Sequence, residues 1–574
     1  MYKKTSPQGK LFGIETKVSP SLRTRLQSSW AHLFRLEVLP LLLKNEDQYA
    51  MLYGTTGRPN FSVARLVGLC VLQEWNDLSD QEALDAFSFD IRWRYALDVS
   101  EEEDYLSRRS LVEFRHRLAA KDPEMKLIRR VFDGVRDSAI KRLGLSSANQ
   151  RLDSTLIISN IRLRGRLSLF SNTLSVFLKS LNEDQLSRVP RAIQDWHKAE
   201  PEGWFGLGGA EQKVKVQELA QWLYELILLF EKDLSDSEPF QLLKRLFSEQ
   251  CELPNNPSDE VKVQIKKTTE GPTLQSPYDP DASCGYKGPG YSLHIAETCS
   301  NAKTEIITDY EAHGAARSDI GKALSVVGRL DASGLKPDIL FADGGYPSAR
   351  SALKLAEQGI EFIAPVVRHR LGDEIMGRDV FEFDSEGFAT KCPMGHGPID
   401  HRMLSAQKTT DRSLFAIFDG ALCRSCEMLD RCPVRAPNHR AKGCEARDTV
   451  GNFRLEITPE LRLRDHMHSI QQTTQWKDRY KIRAGIEATA SELKRAHGIG
   501  RLRVRRLAKV CFAVACKLTA CNIKRWARAY RVLRKLLCGF ADCIGVLPRL
   551  SAWTKASFFA RNNILTLFQA LDVG

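Results

Sequence analysis

Two short runs of apolar and β-branched residues, far apart in the chain, constrain the fold most. QRLDSTLII, residues 150–158, reads as a strand carrying one acid, and PDILFA, Pro337–Ala342, reads as a strand that stops at Asp343-Gly344-Gly345. Tyr291–Thr298 and Thr304–Thr308, joined by the polar turn Ser300-Asn301-Ala302, predict a hairpin. A helix over Ile320–Ala332 and a last strand over Glu361–Val367 complete the alternation. Hairpin, helix, strand, helix, strand predicts a mixed α/β sheet. Its first strand lies more than a hundred residues before its second, so the sheet must form around an insertion.

The remaining segments read as helical or irregular. Residues 1–145 predict an all-helical domain. Within Phe61–Leu97, Leu66, Leu69, Cys70 and Gln73 share one helical face, and the helix stops at Asn76-Asp77. Ser79 and Glu82 then match a capping box, in which each side chain satisfies a free amide at a helix start. Ala83, Ala86, Phe87 and Trp93 continue a second helix, and Ser110–Ala119 begins another. Such a pair fits a helix-turn-helix entering DNA as well as it fits an ordinary small core. Residues 172–271 return to helical spacing at Leu219, Trp222, Leu226 and Leu229, and Pro254–Pro280 reads as a linker. Residues 371–469 hold clustered cysteines and little periodicity, so they read as a second insert. Thr473–His497 predicts one long helix, with basic helices following to about Leu537. The expected division is therefore 1–145, a core from 146–171, 272–370 and 470–530, inserts at 172–271 and 371–469, and a tail at 531–574.

Charge is segregated. The 574 residues carry a formal +13, yet Gln475–Phe540 alone holds 18 Lys/Arg against 3 Asp/Glu, which leaves the rest near neutral. One concentrated basic segment on a near-neutral chain points to a polyanion, most often nucleic acid. Arg501, Arg503, Arg505 and Arg506 fall in it and are candidates for neutralising phosphates. No apolar run reaches membrane-spanning length, and the start lacks the pattern of a secretory signal, so a cytoplasmic protein with no membrane partner is expected.

Three acids stand where sheet chemistry would use them: Asp153 inside the first strand, Asp343 at the end of a later one, and Glu487 on the long helix. Helical spacing puts Tyr480, Arg483, Glu487 and Lys494 on one face. Phosphodiester cleavage needs an activated nucleophile and a stabilised leaving oxygen, which two Mg²⁺ ions held by carboxylates supply. Trp476, one turn before Tyr480, fits core packing better than stacking on an unpaired base.

Asp153 in LDST, Asp343 in ADGGY, and Tyr480-x2-Arg483-x3-Glu487-x6-Lys494 together resemble the DDE transposases of bacterial insertion sequences that carry the Tyr-Arg-Glu-Lys helix signature. DPDA at Asp279–Ala282, GYK at Gly285–Lys287 and GRP at Gly57–Pro59 are similar to that family as well. The resemblance runs from about residue 45 to 530. It implies an α/β, ribonuclease H-like catalytic core, with Asp153, Asp343 and Glu487 holding two Mg²⁺ ions for which Mn²⁺ substitutes. It also implies that Tyr480, Arg483 and Lys494 contact transposon-end DNA. The implied reaction is nicking at the element's ends, then attack of the freed 3′-hydroxyl on target DNA, by a homo-oligomer on the nucleoid. An inactive DNA-binding regulator, or a nuclease of the same fold, are the competing readings.

Cys423-x2-Cys426-x5-Cys432, with Cys392 upstream, offers four thiolates in two groups, a set that suits a structural Zn²⁺. Reduced, packed cysteines are the alternative, and His396, His401, His439 and Cys444 are further ligand candidates. Cys511, Cys516, Cys521 and Cys538 fall on amphipathic helices and are expected to pack as small apolar residues.

Overall fold

The computed structural model describes the chain except residues 6–13, 100–105, 162–164, 200–207, 254–262, 270, 301–303, 367–374, 406–411, 437–449 and 544–574. The N-terminal region is helical. α1 (Val63–Trp75) is buried on nearly every side, and α2 (Asp80–Phe89) starts at the Ser79–Glu82 capping box, with both reciprocal hydrogen bonds formed. α3 (Arg108–Lys121) and α4 (Lys126–Leu143) follow, and α4 ends at Gly144 in a left-handed conformation.

The sheet begins at β1 (Asn149–Ile157). α5 (Arg166–Leu178), α6 (Gly209–Leu234) and α7 (Glu238–Gln250) then build the first insert around its own apolar cluster, including Phe170, Phe177, Leu223, Phe230 and Phe240. A tight hairpin, β2 (Ser283–Gly285) and β3 (Gly288–Thr298), returns the chain to the sheet. β4 (Ile307–Gly314), α8 (Lys322–Ala332), β5 (Ile339–Ala342), α9 (Ala349–Glu357) and β6 (Glu361–Ile363) complete it. Across the sheet the order is β4-β3-β1-β5-β6, with β2 also pairing β3. β1 pairs β3 antiparallel and β5 parallel, and β5 pairs β6 parallel. The hairpin differs from the sequence expectation, because its second strand runs on to Gly314 rather than ending at Thr308.

Apolar side chains cover the sheet on two sides. Leu152, Ala296, Leu340 and Ala342 pack with Val326, Leu330 and Leu355 of α8 and α9. Ile157, Leu293, Ile295, Ile307 and Tyr310 join a larger core with the N-terminal helices and the C-terminal helix. Between the last sheet strand and that helix, β7 (Asp400–Ser405), β8 (Arg412–Phe418) and β9 (Phe453–Ile457) form a separate antiparallel sheet in the cysteine-containing region. Sequence periodicity did not disclose it. Nor did it disclose α10 (Pro459–Ile470), whose start is capped by Thr458.

The expected single helix over Thr473–His497 is divided. α11 (Thr474–Tyr480) passes through a tighter 3₁₀ turn at Lys481–Ala484 into α12 (Gly485–Ala496). The expected series of basic helices is instead one helix, α13 (Leu507–Cys543). Among the described residues, no helix is long and apolar enough to cross a membrane.

α13 is clamped to α1 by a buried cation. Lys517 is almost wholly enclosed, pairs with Glu74 and Asp77, and donates to the His497 carbonyl at 2.5 Å. Removing one partner of an enclosed ion pair strands the other charge. Lys517→Met is therefore expected to destabilise the protein by about 3 kcal/mol, read as a fall in the urea unfolding midpoint. An unchanged midpoint would show that the clamp contributes nothing.

Candidate functional site

The site forms where β5 ends and β1 continues. The last parallel pairing joins Leu152 to Ala342, so Asp153 and Asp343 occupy the next positions on neighbouring strands. Asp343 is turned by the Gly344-Gly345 bend and accepts the Gly345 amide at 2.7 Å. Tyr480 donates its hydroxyl to the Ala342 carbonyl at 3.2 Å, bringing α11 down onto the end of β5. Trp476 stacks on Tyr480, with centroids 4.7 Å apart, and packs in one apolar cluster with Phe341, Ile363 and Cys299.

The second support is a buried charge cluster. Glu297 of β3 is fully enclosed and accepts from Arg151 at 2.7 Å, Arg525 at 3.0 Å and the Thr489 hydroxyl at 2.6 Å. Arg151 also donates to the Ile482 carbonyl at 2.9 Å, inside the 3₁₀ turn. Gly485 lies so close to that guanidinium that a β-carbon would stand 1.9 Å from Arg151 Nη1. Together these contacts break the helix at 481–484 and seat α12 against β1.

Glu487 and Asp153 are joined through Arg483. Its guanidinium reaches Asp153 Oδ2 and Glu487 Oε1, both at 2.7 Å, across 330 residues of sequence in the first case. Asp153 is largely buried, and burial raises its carboxyl above the ordinary value despite the opposing pull of Arg483 and Lys287; the nearby Asp343 adds to the rise. Glu487 is largely exposed. Among the described residues, no group of three or more His, Cys, Asp or Glu is arranged to hold a metal ion.

A chain of polar groups lies behind Ser154, which follows Asp153. Ser154 donates to Asp319 at 2.8 Å and receives Lys287 Nζ on its hydroxyl at 2.7 Å and on its carbonyl at 2.9 Å. Buried His294 contacts the Tyr346 hydroxyl through Nδ1 at 2.6 Å and His313 Nε2 through Nε2 at 2.8 Å. His313 Nδ1 faces the Gly314 carbonyl at 2.9 Å, so that nitrogen carries the proton. His313 Nε2 then accepts from His294, and His294 Nδ1 accepts from Tyr346. Asp319, His294 and Tyr346 were not singled out by sequence reasoning; Tyr346 closes the ADGGY run, which was read for Asp343, its turn and the family resemblance.

The basic arginines serve largely as ties. Arg503 pairs with Asp77 at 3.1 Å, Arg506 pairs with Glu238 at 2.8 Å, and Arg505 donates to the Asn160 carbonyl at 2.6 Å while lying over the Tyr278 ring. Arg501 is exposed and forms a parallel bridge with Ile158 at the end of β1. Lys494 lies in the last turn of α12.

The four cysteines proposed from spacing lie around one cavity, without forming a group arranged to hold a metal ion among the described residues. Cys392, Cys423, Cys426 and Cys432 line one cavity of about 40 Å³ with His396 and apolar side chains. Burial pushes the Cys423 thiol up to about 12 and that of Cys432 to about 11, so both are neutral thiols as they stand. His401 is turned away, with Nε2 on the Ala389 carbonyl at 3.1 Å. His439 and Cys444 lie outside the described residues, as does the side chain of Cys538.

Two family models match parts of the chain. A family described as "Transposase DDE domain" matches residues 391–527, and one described as "Transposase domain (DUF772)" matches residues 32–117. The first span contains Tyr480, Arg483, Glu487 and Lys494 but neither aspartate. These matches support a DDE-type transposase, a class that acts on DNA and generally uses divalent metal ions such as Mg²⁺. No curated protein and no solved structure matches the chain.

The histidine chain has a consequence for acid stability. Burial, and then the neighbouring His313, lower His294 from 6.5 to about 3. Below about pH 6.5 the unfolded chain therefore takes up a proton that the folded protein refuses, and stability falls as pH drops toward 3. His497, lowered to about 4 mainly by burial, acts in the same direction. By linkage each residue costs roughly 2 kcal/mol at about pH 5 relative to neutrality. Urea midpoints should fall accordingly, and His294→Gln should flatten the dependence; a midpoint equally steep in that variant would refute the assignment.

Proposed function

We propose that this protein is a metal-dependent DNA transposase that nicks DNA at transposon ends and joins the freed 3′-hydroxyl to target DNA. One observation carries the reading: Asp153, Asp343 and Glu487, scattered over more than 300 residues, come to one end of the sheet, with a single guanidinium spanning Asp153 and Glu487. The strand order β4-β3-β1-β5-β6, an antiparallel hairpin followed by parallel crossovers, supports a ribonuclease H-like core. Asp153, Asp343 and Glu487 are the proposed catalytic acids, and Tyr480, Arg483 and Lys494 the proposed contacts to end DNA.

The donor set fits a hard divalent cation in kind, since all three are carboxylates and Asp153 is partly desolvated beside Asp343. Arg483 now supplies the positive charge that this arrangement calls for. A bound Mg²⁺ or Mn²⁺ would supply activation of the attacking oxygen and stabilisation of the leaving one. The protein's own part is to fix the acids on rigid elements and to present cations to the phosphates. Pairing of two DNA ends requires more than one copy of the chain, so a homo-oligomer on DNA is part of the proposal.

The test uses DNA flanking the protein's own gene. The wild-type protein should introduce Mg²⁺-dependent nicks at discrete positions and then join the ends. Asp343→Asn should bind that DNA with affinity within about two-fold of wild type while nicking at least about a thousand-fold more slowly, a loss on the scale of removing a principal electrostatic contribution. Full nicking by the variant would exclude the proposed acids. Binding without any cleavage by the wild type would make the protein a DNA-binding regulator, and cleavage without joining would make it a nuclease.

A further inference from the structure

The GYK run is the motif that the acids and the signature helix leave unused. It forms the tip of the β2–β3 hairpin, where Gly285 pairs with Gly288 and Tyr286-Lys287 make the two-residue turn. The tip is held rigidly. A β-carbon at Gly285 would meet the Ala315 carbonyl oxygen at 1.9 Å, and one at Gly290 would meet that of Ile157 at 2.2 Å. Gly288 and Gly290 take φ of +123° and +132°, values that disfavour a side chain, while Tyr286 and Lys287 keep negative φ. The glycines thus absorb the strain of the turn, and the two functional side chains diverge. Lys287 folds inward onto Ser154, beside Asp153. Tyr286 projects outward and is the most exposed large hydrophobic residue among those described.

An aromatic ring held out in water gains nothing for the fold. Beside it, Lys287 spends two of its three ammonium hydrogens on Ser154, which leaves one for an incoming acceptor. Exposed Arg501, bridged to Ile158, lies along the same end of β1 that Gly290 approaches. A stacking face beside an anchored ammonium matches one unpaired nucleotide with its phosphate.

We infer that the hairpin tip receives an unpaired nucleotide of the DNA strand entering the site, with Tyr286 stacking on the base and Lys287 contacting the phosphate. The inference rests on the transposase reading and names the part of the substrate that meets this surface. Stacking of this kind tolerates any base, so no terminal sequence is needed to test it.

The probes are a duplex with a short single-stranded oligothymidine overhang and the same duplex blunt-ended, titrated by fluorescence anisotropy with Ca²⁺ present. Tyr286→Ala should weaken binding of the overhang duplex by roughly five-fold or more, the loss expected of one base–aromatic stack. Binding of the blunt duplex should change by less than about two-fold. Tyr286→Phe, which keeps the ring, should retain wild-type affinity for both. Lys287→Gln should lower the salt dependence of binding by about one phosphate contact. Tyr286 is exposed, so the thermal midpoint of its variants serves as the folding control. Equal affinities of wild type and Tyr286→Ala for the overhang duplex, or equal losses on both duplexes, would overturn the inference. Failure of the wild type to bind either duplex would instead count against the transposase reading.

Discussion

Glu297 is the acid on which the site's geometry depends. It is fully enclosed in the sheet, and hydrogen-bond donors reach it from three elements, the Arg151 and Arg525 guanidinia from β1 and α13 and the Thr489 hydroxyl from α12. A carboxylate taken out of water costs several kcal/mol unless its lone pairs are met. That requirement acts less as a source of stability than as a selection rule, because few arrangements of four distant segments satisfy it. Arg151 stands two residues before Asp153 on the same face of β1, and Thr489 stands two residues after Glu487 on α12. Fixing Arg151 and Thr489 on Glu297 therefore seats β1 and α12 against one acid, and Arg483 then bridges Asp153 and Glu487.

The site itself balances burial against charge. Burial and Asp343 favour the protonated form of Asp153, while Arg483 and Lys287 favour the ionised one, and burial prevails. Arg483 is directional: it bonds Asp153 through Nη2 and Glu487 through Nη1, which leaves its buried Nε without a partner. A guanidinium carries one charge in a plane, whereas a divalent cation would place two at a point. The present arrangement thus joins Asp153 and Glu487 through a single cation.

What could be read from sequence follows the range of the forces involved. The Ser79–Glu82 capping box was legible because both partners lie within one turn. β1 and β5 were legible from short apolar and β-branched runs. The break at Lys481–Ala484 was not, since its causes are Arg151 on the Ile482 carbonyl and the close approach of Gly485 to the same side chain. Likewise the sequence displays the charge of Arg503 and Arg506 but not their partners Asp77 and Glu238. The small sheet of β7, β8 and β9 escaped notice because that region was read through its clustered cysteines.

Those arginine pairings change what the basic segment is for. Residues 498–506 run between three parts of the molecule. Gly498, at φ +59°, lies where a β-carbon would strike the Asp77 carboxylate. Gly500 and Leu502 hydrogen-bond to Ile158 at the end of β1, Val504 to Asn160, and Arg506 reaches the first insert. The segment that follows Glu487 is therefore a strut tying the N-terminal helices, the sheet and the insert together, and Lys517 reinforces it from α13. Charge spent on these internal pairs is not available to phosphates, so the count of basic residues overstates the electrostatic footprint. In exchange, the same short stretch of chain fixes the N-terminal helices against the end of β1, the strand that carries Asp153.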